Sequence, residues 1–233
     1  MIIDSHLHVW TSDSPKYPFA EGRQVAESAP VELLVETMDA AGVDKAVIVQ
    51  PIHYLYDNTY VADSLKQYPG KFAAIGLLDR HAPETPEELE RLVVEHGFGG
   101  LRMHLSRPDD PAEWSAADQD PIWRKAEELG AAFLSFGPAA LLPAIEPIVA
   151  RFPGVKVALD HIGGAPTDEE SPAPLLTNVL RMARYPNVYV KFSPQGHKSQ
   201  QDYPFRDTFA TFQKLYDAFG PQRLMWGTNF PGV

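Results

Sequence analysis

The sequence predicts an α/β protein with the fold of a (β/α)8 TIM barrel. Three observations support this class: the length of 233 residues, the alternation of short β-branched runs with longer stretches of helical period, and the count of eight such runs. Short apolar strands separated by helical stretches are typical of βαβ units and a parallel sheet. A barrel of eight such units usually has about 250 residues. No linker or shift in composition interrupts the series, so residues 1–233 are expected to form one domain.

The eight predicted strands are short apolar runs, and most of them end on polar residues or glycine. In chain order they are Ile2 to His8, Ala46 to Gln50, Phe72 to Leu78, Gly100 to His104, Ala132 to Ser135, Val155 to His161, Val188 to Phe192 and Leu224 to Gly227. A doubly wound open sheet is the alternative architecture. It is disfavoured because no glycine-rich phosphate turn follows the first strand.

Seven helical patterns separate the strands. The first has its apolar residues on one stripe, at Val31, Leu34, Val35 and Met38. The last is expected to bury a stripe made of Phe209, Phe212, Tyr216 and Phe219. Only a few residues follow the eighth strand, so the sequence predicts a barrel without its last helix. Either a C-terminal segment is missing, or the barrel is left partly uncovered there.

Composition excludes several classes of function. The chain has 20 Lys and Arg against 31 Asp and Glu, a formal charge of −11, whereas nucleic acid and anionic membranes require a basic surface. The absence of cysteine excludes disulfides, zinc ribbons, iron–sulfur clusters and thiol nucleophiles. No secretion signal or membrane span is recognisable. We therefore expect a cytoplasmic protein whose partner is a small molecule, with a homo-oligomer as an open alternative.

The polar residues at strand ends are the candidates for chemistry, because active sites of such barrels lie at the carboxyl ends of the strands. His6 and His8 end the first strand, and the period of two places both imidazoles on one face. This spacing suits two ligands of one metal or two donors to one substrate oxygen. A purely structural pair is the alternative. Asp4 shares their face and is expected to orient a histidine.

Arg102 and His104 share a face at the end of the fourth strand. A guanidinium matches a carboxylate with two parallel hydrogen bonds, so Arg102 is a candidate for binding an anionic substrate. The alternative is a structural ion pair with Asp79 or Asp160.

Three further strands end in residues that could contact a substrate. The sixth ends in Asp160-His161, followed by Gly163 and Gly164, which would let a ligand approach the backbone closely. We expect His161 to be catalytic. The remaining candidates for substrate binding, from the second and seventh strands, are Gln50, His53, Lys191 and Ser193. A solvated, outward position is the alternative for Lys191.

Five motifs together resemble the amidohydrolase superfamily. They are Ile3-Asp4-Ser5-His6-Leu7-His8-Val9-Trp10, Gly100-Leu101-Arg102, Leu159-Asp160-His161-Ile162-Gly163, Val190-Lys191-Phe192-Ser193 and Trp226-Gly227-Thr228-Asn229-Phe230-Pro231. More narrowly, they are similar to the amidohydrolase-related branch that contains 2-pyrone-4,6-dicarboxylate lactonase and fuconolactonase-like hydrolases. The resemblance extends from Asp4 to Pro231 and implies a TIM-barrel hydrolase.

The resemblance also implies a metal site, from which this sequence departs. Metal-dependent members hold the ion with the first-strand histidines, a fifth-strand histidine and an eighth-strand Asp, whereas here the fifth strand has no histidine and Asn229 replaces the Asp. We therefore expect no obligatory cofactor, with one Zn²⁺ or Mn²⁺ on His6 and His8 as the alternative. The pyrone-dicarboxylate lactonase type, which needs no metal, is the better analogue.

The resemblance implies the opening of a lactone that carries a carboxylate. Water would attack the ester carbonyl while His6, His8 or His161 stabilises the oxyanion, and Arg102, with Lys191, would hold the carboxylate. An amide at Asn229 cannot take the proton from water, which brings catalysis into question. The rivals are a metal-dependent decarboxylase and a binding protein that has lost turnover.

Overall fold

A computed structural model describes residues 1–12, 15–105, 110–166, 173–193 and 199–232. Eight strands form one sheet in chain order, and paired neighbours run parallel. The strands are β1 (Ile3–Leu7), β2 (Lys45–Val49), β3 (Phe72–Gly76), β4 (Phe98–His104), β5 (Ala132–Phe136), β6 (Val157–Leu159), β7 (Val188–Phe192) and β8 (Leu224–Trp226). Each bound lies within two residues of the predicted one.

Seven α-helices alternate with the strands in the described part of the chain. They are α1 (Val31–Ala41), α2 (Thr59–Gln67), α3 (Thr85–His96), α4 (Asp120–Leu129), α5 (Leu142–Arg151), α6 (Ala173–Arg181) and α7 (Phe209–Phe219). This order of strands and helices confirms the predicted TIM-barrel fold class. No described helix has both the length and the apolar character needed to cross a bilayer.

The chain forms two compact units. The first contains Met1–Arg102 with Gly227–Val233, and the second contains Met103–Trp226. The boundary falls inside β4, so Arg102 belongs to the first unit and His104 to the second. The prediction of one domain over residues 1–233 stays a prediction.

The first unit buries three of the four residues of the predicted stripe of α1. Val31, Leu34 and Met38 are buried and Val35 is half-buried, and α1 ends before Gly42, whose left-handed φ of 69° favours glycine. Beside this core, β1 pairs with β2 so that Asp4 lies opposite Ala46. The pairing fixes where the polar end of β1 emerges.

The second unit shows that the predicted stripe of α7 is wrong. Phe209, Phe212 and Tyr216 are 53%, 38% and 42% exposed, and only Phe219 of the predicted four is buried. The helix instead buries a stripe of i, i+4 and i+8 residues, namely Thr211, Leu215 and Phe219. The physical reason is that α7 carries two apolar stripes side by side. The aromatic stripe lies on the more exposed side of the helix, where the ring centroid of Phe212 lies 4.9 Å from that of Phe192.

Candidate active site

The end of β1 brings two imidazole rings together in the first unit. His6 is fully buried, His8 is partly exposed, and their ring centroids lie 5.0 Å apart in an edge-to-face arrangement. His8 Nδ1 lies 2.8 Å from the carbonyl oxygen of Val49. A carbonyl oxygen only accepts hydrogen bonds, so Nδ1 carries the proton and Nε2 is the proton-accepting nitrogen of the neutral ring.

The segment that follows β8 lies along the end of β1. The backbone N–H of Asn229 donates to the carbonyl of His6 at 2.8 Å, and the N–H of His8 donates to the carbonyl of Phe230 at 2.9 Å. Residue 229 therefore lies beside both histidines. Its φ of 59° is left-handed, a conformation that Asn and Asp adopt more readily than other residues with a side chain.

Asp4 is hydrogen-bonded to both of these segments. Its buried carboxylate accepts hydrogen bonds from the N–H of His6 (3.0 Å), the N–H of Thr228 (3.1 Å) and the hydroxyl of Thr228 (2.5 Å). The contact with His6 is made to its backbone N–H, so the predicted role of Asp4 in orienting a histidine stays a prediction. Thr228 was missed by sequence reasoning, although it lies inside the quoted eighth-strand motif. The only available signal was its place next to Asn229.

Gln50 lies at the end of β2 and is fully buried. Its side-chain amide donates to the carbonyls of Leu55 (3.2 Å) and Asp57 (2.7 Å). Its Oε1 has no hydrogen-bond partner among the described residues. Gln50 therefore stabilises the turn that follows β2 through its side-chain amide group. Its Oε1 is the atom that would accept a hydrogen bond in the predicted substrate contact.

His53 is packed among aromatic side chains of the segment that follows β1. Its ring meets Trp10 edge-to-face with centroids 5.0 Å apart and lies 5.8 Å from Phe19. Burial lowers the pKa of His53, and the backbone of Arg23, to which the ring is hydrogen-bonded, opposes this shift. Sequence reasoning missed this aromatic packing, because the path of the segment between β1 and α1 has no periodic signal.

Arg102 and His104 are both buried on β4, at 7% and 8% exposure. The ring of His104 packs against Phe136 of β5 at 5.3 Å. Burying a guanidinium is costly unless it meets an anion. The position of Arg102 therefore agrees with either predicted role, a substrate carboxylate or a structural acidic residue.

In the second unit, His161 occupies an unusual turn after β6. His161 and Ile162 have φ values of 52° and 60°, and Gly163 continues the left-handed path at 61°. Such conformations are strained for residues with a side chain and are concentrated at functional sites. His161 Nδ1 lies 3.0 Å from the carbonyl oxygen of Ser193, which again makes Nε2 the proton-accepting nitrogen of the neutral ring.

Lys191 is buried rather than solvated, so the outward alternative is wrong. Its side chain is 3% exposed, and its ammonium lies 3.3 Å from the fully buried carboxylate of Asp160. Leu159 pairs with Val190 in the sheet, which sets Asp160 beside Lys191. Ser193 is also fully buried and holds His161 through its carbonyl, so its contact is with the candidate catalytic residue.

The described side chains offer an incomplete ligand set for a divalent metal. No group of three or more His, Asp or Glu residues within the described ranges is arranged to hold an ion. The end of β1 provides two imidazoles, and residue 229, whose backbone contacts His6, is a neutral amide, whereas catalytic zinc takes three protein ligands of imidazole, carboxylate or thiolate type. Strand β5 contains no histidine, and its polar residue is the buried Ser135.

Comparison with known proteins gives a consistent picture. A family model described as Amidohydrolase matches residues 3–233. Among curated proteins, the chain is 25% identical over 230 residues to a 4-sulfomuconolactone hydrolase of Hydrogenophaga intermedia, covering 98% of this chain and 74% of that protein. It is 23% identical over 235 residues to an L-fucono-1,5-lactonase of Burkholderia ambifaria, covering 98% and 80%.

Solved structures share the fold. A protein of Acinetobacter baumannii named as a probable 2-pyrone-4,6-dicarboxylic acid hydrolase, with citric acid bound, superposes with a TM-score of 0.84 at 19% identity over 100% of this chain and 85% of that one. An amidohydrolase of Burkholderia multivorans with bound zinc gives 0.83 at 22% identity over 100% and 85%. A 5-carboxyvanillate decarboxylase of Novosphingobium aromaticivorans with manganese gives 0.59 at 20% identity over 86% and 70%.

Proposed function

Because this chain belongs to the amidohydrolase family, we propose that it opens the lactone ring of a small, carboxylate-bearing substrate by attack of water. Both curated relatives reported above are named for acting on lactones. The observation that carries the proposal is the tautomer of the two partly exposed histidines, His8 and His161. Each has its Nδ1–H fixed on a backbone carbonyl, His8 on Val49 and His161 on Ser193.

A histidine held in this tautomer can serve both proton transfers of ester hydrolysis, from the attacking water and to the leaving oxygen. In the neutral ring, Nε2 accepts a proton from the water whose oxygen forms a bond to the lactone carbonyl carbon. In the protonated ring, the same atom donates that proton to the ring oxygen as the carbon–oxygen ester bond breaks. The product is a ring-opened hydroxy acid. An unperturbed imidazole changes protonation near neutral pH, which allows both steps.

Arg102 is the proposed partner of the substrate carboxylate. Its guanidinium can make two parallel charge-assisted hydrogen bonds to a carboxylate, and its burial would strengthen them. Lys191, the second predicted carboxylate ligand, lies 3.3 Å from the carboxylate of Asp160. We assign anion binding to Arg102 first because its planar guanidinium matches the geometry of a carboxylate. Gln50 and His104 remain proposed contacts to the uncharged part of the substrate.

Asn229 favours a second candidate, a relative that binds its ligand and turns it over slowly or not at all. A side-chain amide has no proton-accepting pKa, and loss of a general base typically lowers a rate by about 10² to 10⁴. The first proposal assigns the role of the base to His8 or His161 instead. Hydrolysis therefore remains the first proposal, with ligand binding alone as the second.

We further propose that the reaction needs no metal. The support is the donor set, since His6 and His8 lack a third imidazole or carboxylate ligand in the described part of the chain. The alternative is one Zn²⁺ or Mn²⁺ on these two histidines, as metal-bound relatives exist. A metal-dependent decarboxylase is the rival reaction, and its product differs from that of hydrolysis.

The decisive experiment screens lactones that carry carboxylate or sulfonate groups, together with aromatic acids, against the purified protein. Thermal shift identifies ligands, and each ligand is then incubated with enzyme pretreated with EDTA or left untreated. Mass spectrometry distinguishes a ring-opened acid from a decarboxylated product. We expect ring opening that survives EDTA with less than a twofold loss.

Each other result contradicts a defined part of the proposal. Release of CO₂ would identify the decarboxylase. Thermal stabilisation without product would identify the binding protein. Loss of ring opening with EDTA, restored by Zn²⁺ or Mn²⁺, would contradict metal independence alone and leave lactone hydrolysis standing.

A further inference from the structure

We propose that Asp4 is the positioning residue of this site and that it acts through Thr228 to hold residue 229 against the two histidines of β1. The inference rests on the proposed function, since it assigns a role in lactone hydrolysis to a contact outside the reacting groups. It treats the carboxylate of Asp4 as a clamp between two segments that are 224 positions apart in sequence.

The first step is the burial of Asp4. The residue is 2% exposed, and a buried carboxylate is tolerated only where hydrogen bonds replace its hydration. Here the replacement comes from neighbouring backbone and a hydroxyl. Oδ1 accepts from the N–H groups of His6 and Thr228, and Oδ2 accepts from the hydroxyl of Thr228. One carboxylate thus contacts both segments.

The second step is the double role of Thr228. Its hydroxyl donates its only proton to Asp4 and accepts a hydrogen bond from the N–H of Phe230 at 3.0 Å. The hydroxyl therefore spans the residue that lies between them, Asn229. The turn is fixed on both sides of Asn229, and this supports the left-handed φ of 59° at that residue.

The third step is the contact of this turn with β1. The N–H of Asn229 donates to the carbonyl of His6, and the N–H of His8 donates to the carbonyl of Phe230. Gly227 permits the approach, because a Cβ there would lie 2.9 Å from both the Cβ and the backbone nitrogen of His6. The backbone of residues 229 and 230 is consequently tied to the backbone of His6 and His8.

The arrangement specifies an aspartate. The N–H of Thr228 faces both carboxylate oxygens, at 3.1 Å and 3.3 Å, so an amide nitrogen in place of Oδ2 would turn its own donor toward this N–H. An aspartate has acceptors on both oxygens and accepts from the backbone and the hydroxyl together. Asp4→Asn and Thr228→Val should therefore loosen the same turn, while Thr228→Ser should keep it.

Hydrogen exchange measured by NMR tests the clamp without any substrate. We expect Thr228→Val and Asp4→Asn to accelerate exchange of the backbone amides of His8 and Asn229 at least tenfold. Thr228→Ser should stay within threefold of the parent. Thr37→Val is the matched control, because its exposed hydroxyl donates only to the carbonyl of Leu33 in α1. Unchanged exchange at both amides in Thr228→Val would overturn the inference.

Kinetics then test positioning against a merely structural role, using the Asn229→Asp background on a lactone that the protein opens. Thr228→Val should lower kcat at least tenfold while KM changes less than threefold, and Thr228→Ser should restore kcat. A drop in thermal stability with kcat preserved would reduce Asp4 to a structural residue. If no lactone is opened by any variant, the proposed function fails, and the exchange result still decides whether the clamp exists.

Discussion

The two units stabilise the buried carboxylate near their candidate catalytic histidines by different physical means. In the first unit, the buried carboxylate of Asp4 is satisfied by neutral N–H and O–H donors of His6 and Thr228. In the second unit, the buried carboxylate of Asp160 is paired with the ammonium of Lys191 at 3.3 Å. One unit relies on directional hydrogen bonds, and the other relies on a charge pair shielded from water.

The backbone conformation at the candidate histidines also differs between the two units. His6 lies within strand β1, in the stretch between Asp4 and Leu7 where the register with β2 shifts. Its backbone N–H donates to Asp4, and its carbonyl accepts from the N–H of Asn229. His161 lies in a left-handed turn with Ile162, and a left-handed residue with a side chain costs about 1–2 kcal/mol. The comparison teaches that a histidine can be set within a strand by hydrogen bonds to its backbone, or in a strained turn that depends on strong contacts around it.

The largest effect is expected from breaking the charge pair. Replacing Lys191 by methionine leaves Asp160 as a buried charge without its cation, and such single removals typically destabilise by about 3–5 kcal/mol. Denaturant unfolding of Lys191→Met should show this loss. Adding Asp160→Asn to the same variant should recover part of the stability, because it removes the stranded charge.

An exposed pair in the first unit supplies the control. The ammonium of Lys71 lies 2.7 Å from the carboxylate of Asp39, which is 64% exposed. Exposed pairs contribute about 0.2–1 kcal/mol, so Lys71→Met should change the free energy of unfolding by no more than about 1 kcal/mol. Equal losses for Lys71→Met and Lys191→Met would show that burial of the second pair has no energetic consequence.

A gain of function is expected in the first unit. Asn229→Asp places a proton acceptor at residue 229, whose backbone contacts that of His6, and we expect lactone hydrolysis to rise at least about tenfold, within the usual range for a general base. Aspartate tolerates the left-handed φ of 59° at this position, so the fold should be retained. Steady-state kinetics on a lactone that the protein binds give the comparison.

Asn229→Gly is the matched variant, because glycine adopts the same backbone conformation without any side chain. It should give no gain. An unchanged rate in Asn229→Asp on a substrate that demonstrably binds would show that a histidine already serves as the base. A gain in both variants would point to steric relief at position 229 in place of proton transfer.

Part of this comparison was available from the sequence. The period of two in β1 placed Asp4, His6 and His8 on one face, and the structure joins Asp4 to His6 directly. The contact between Asp160 and Lys191 was also within reach, because residues just after β6 and within β7 occupy neighbouring positions when parallel strands follow one another along the chain. Alternation and strand order carry this information.

Other features have no local signature. The left-handed turn includes Ile162, a β-branched residue that such a conformation disfavours, so only the contacts around it explain the turn. Periodicity favoured the wrong stripe of α7, since the row of Phe209, Phe212 and Tyr216 is more apolar than the buried row of Thr211, Leu215 and Phe219. The partners of Thr228 depend on a contact across 224 positions, which spacing does not reveal.

The smallest effect concerns His53, which contacts neither Asp4 nor Asp160 in the hydrogen bonds described above. It tests how a fall in pH changes the stability of the first unit. Burial lowers the pKa of His53, so the folded state binds this proton less readily than the unfolded chain, where histidine titrates near about 6.5. Stability should therefore fall as the pH drops below that value and level off below the lowered pKa of the folded state.

His53→Phe should keep the edge-to-face packing with Trp10 and remove this titration. Near pH 7.5 the variant should be slightly less stable than the parent, because the hydrogen bond to the backbone of Arg23 is lost, a contribution of about 0.5–1.5 kcal/mol. The difference should shrink at pH 5.5, since only the parent then loses stability by resisting protonation at this position. His81→Asn, at an exposed histidine, controls for removal of any imidazole. A difference in unfolding free energy that stays constant from pH 7.5 to 5.5 would mean that the aromatic packing of His53 stabilises the first unit independently of its charge.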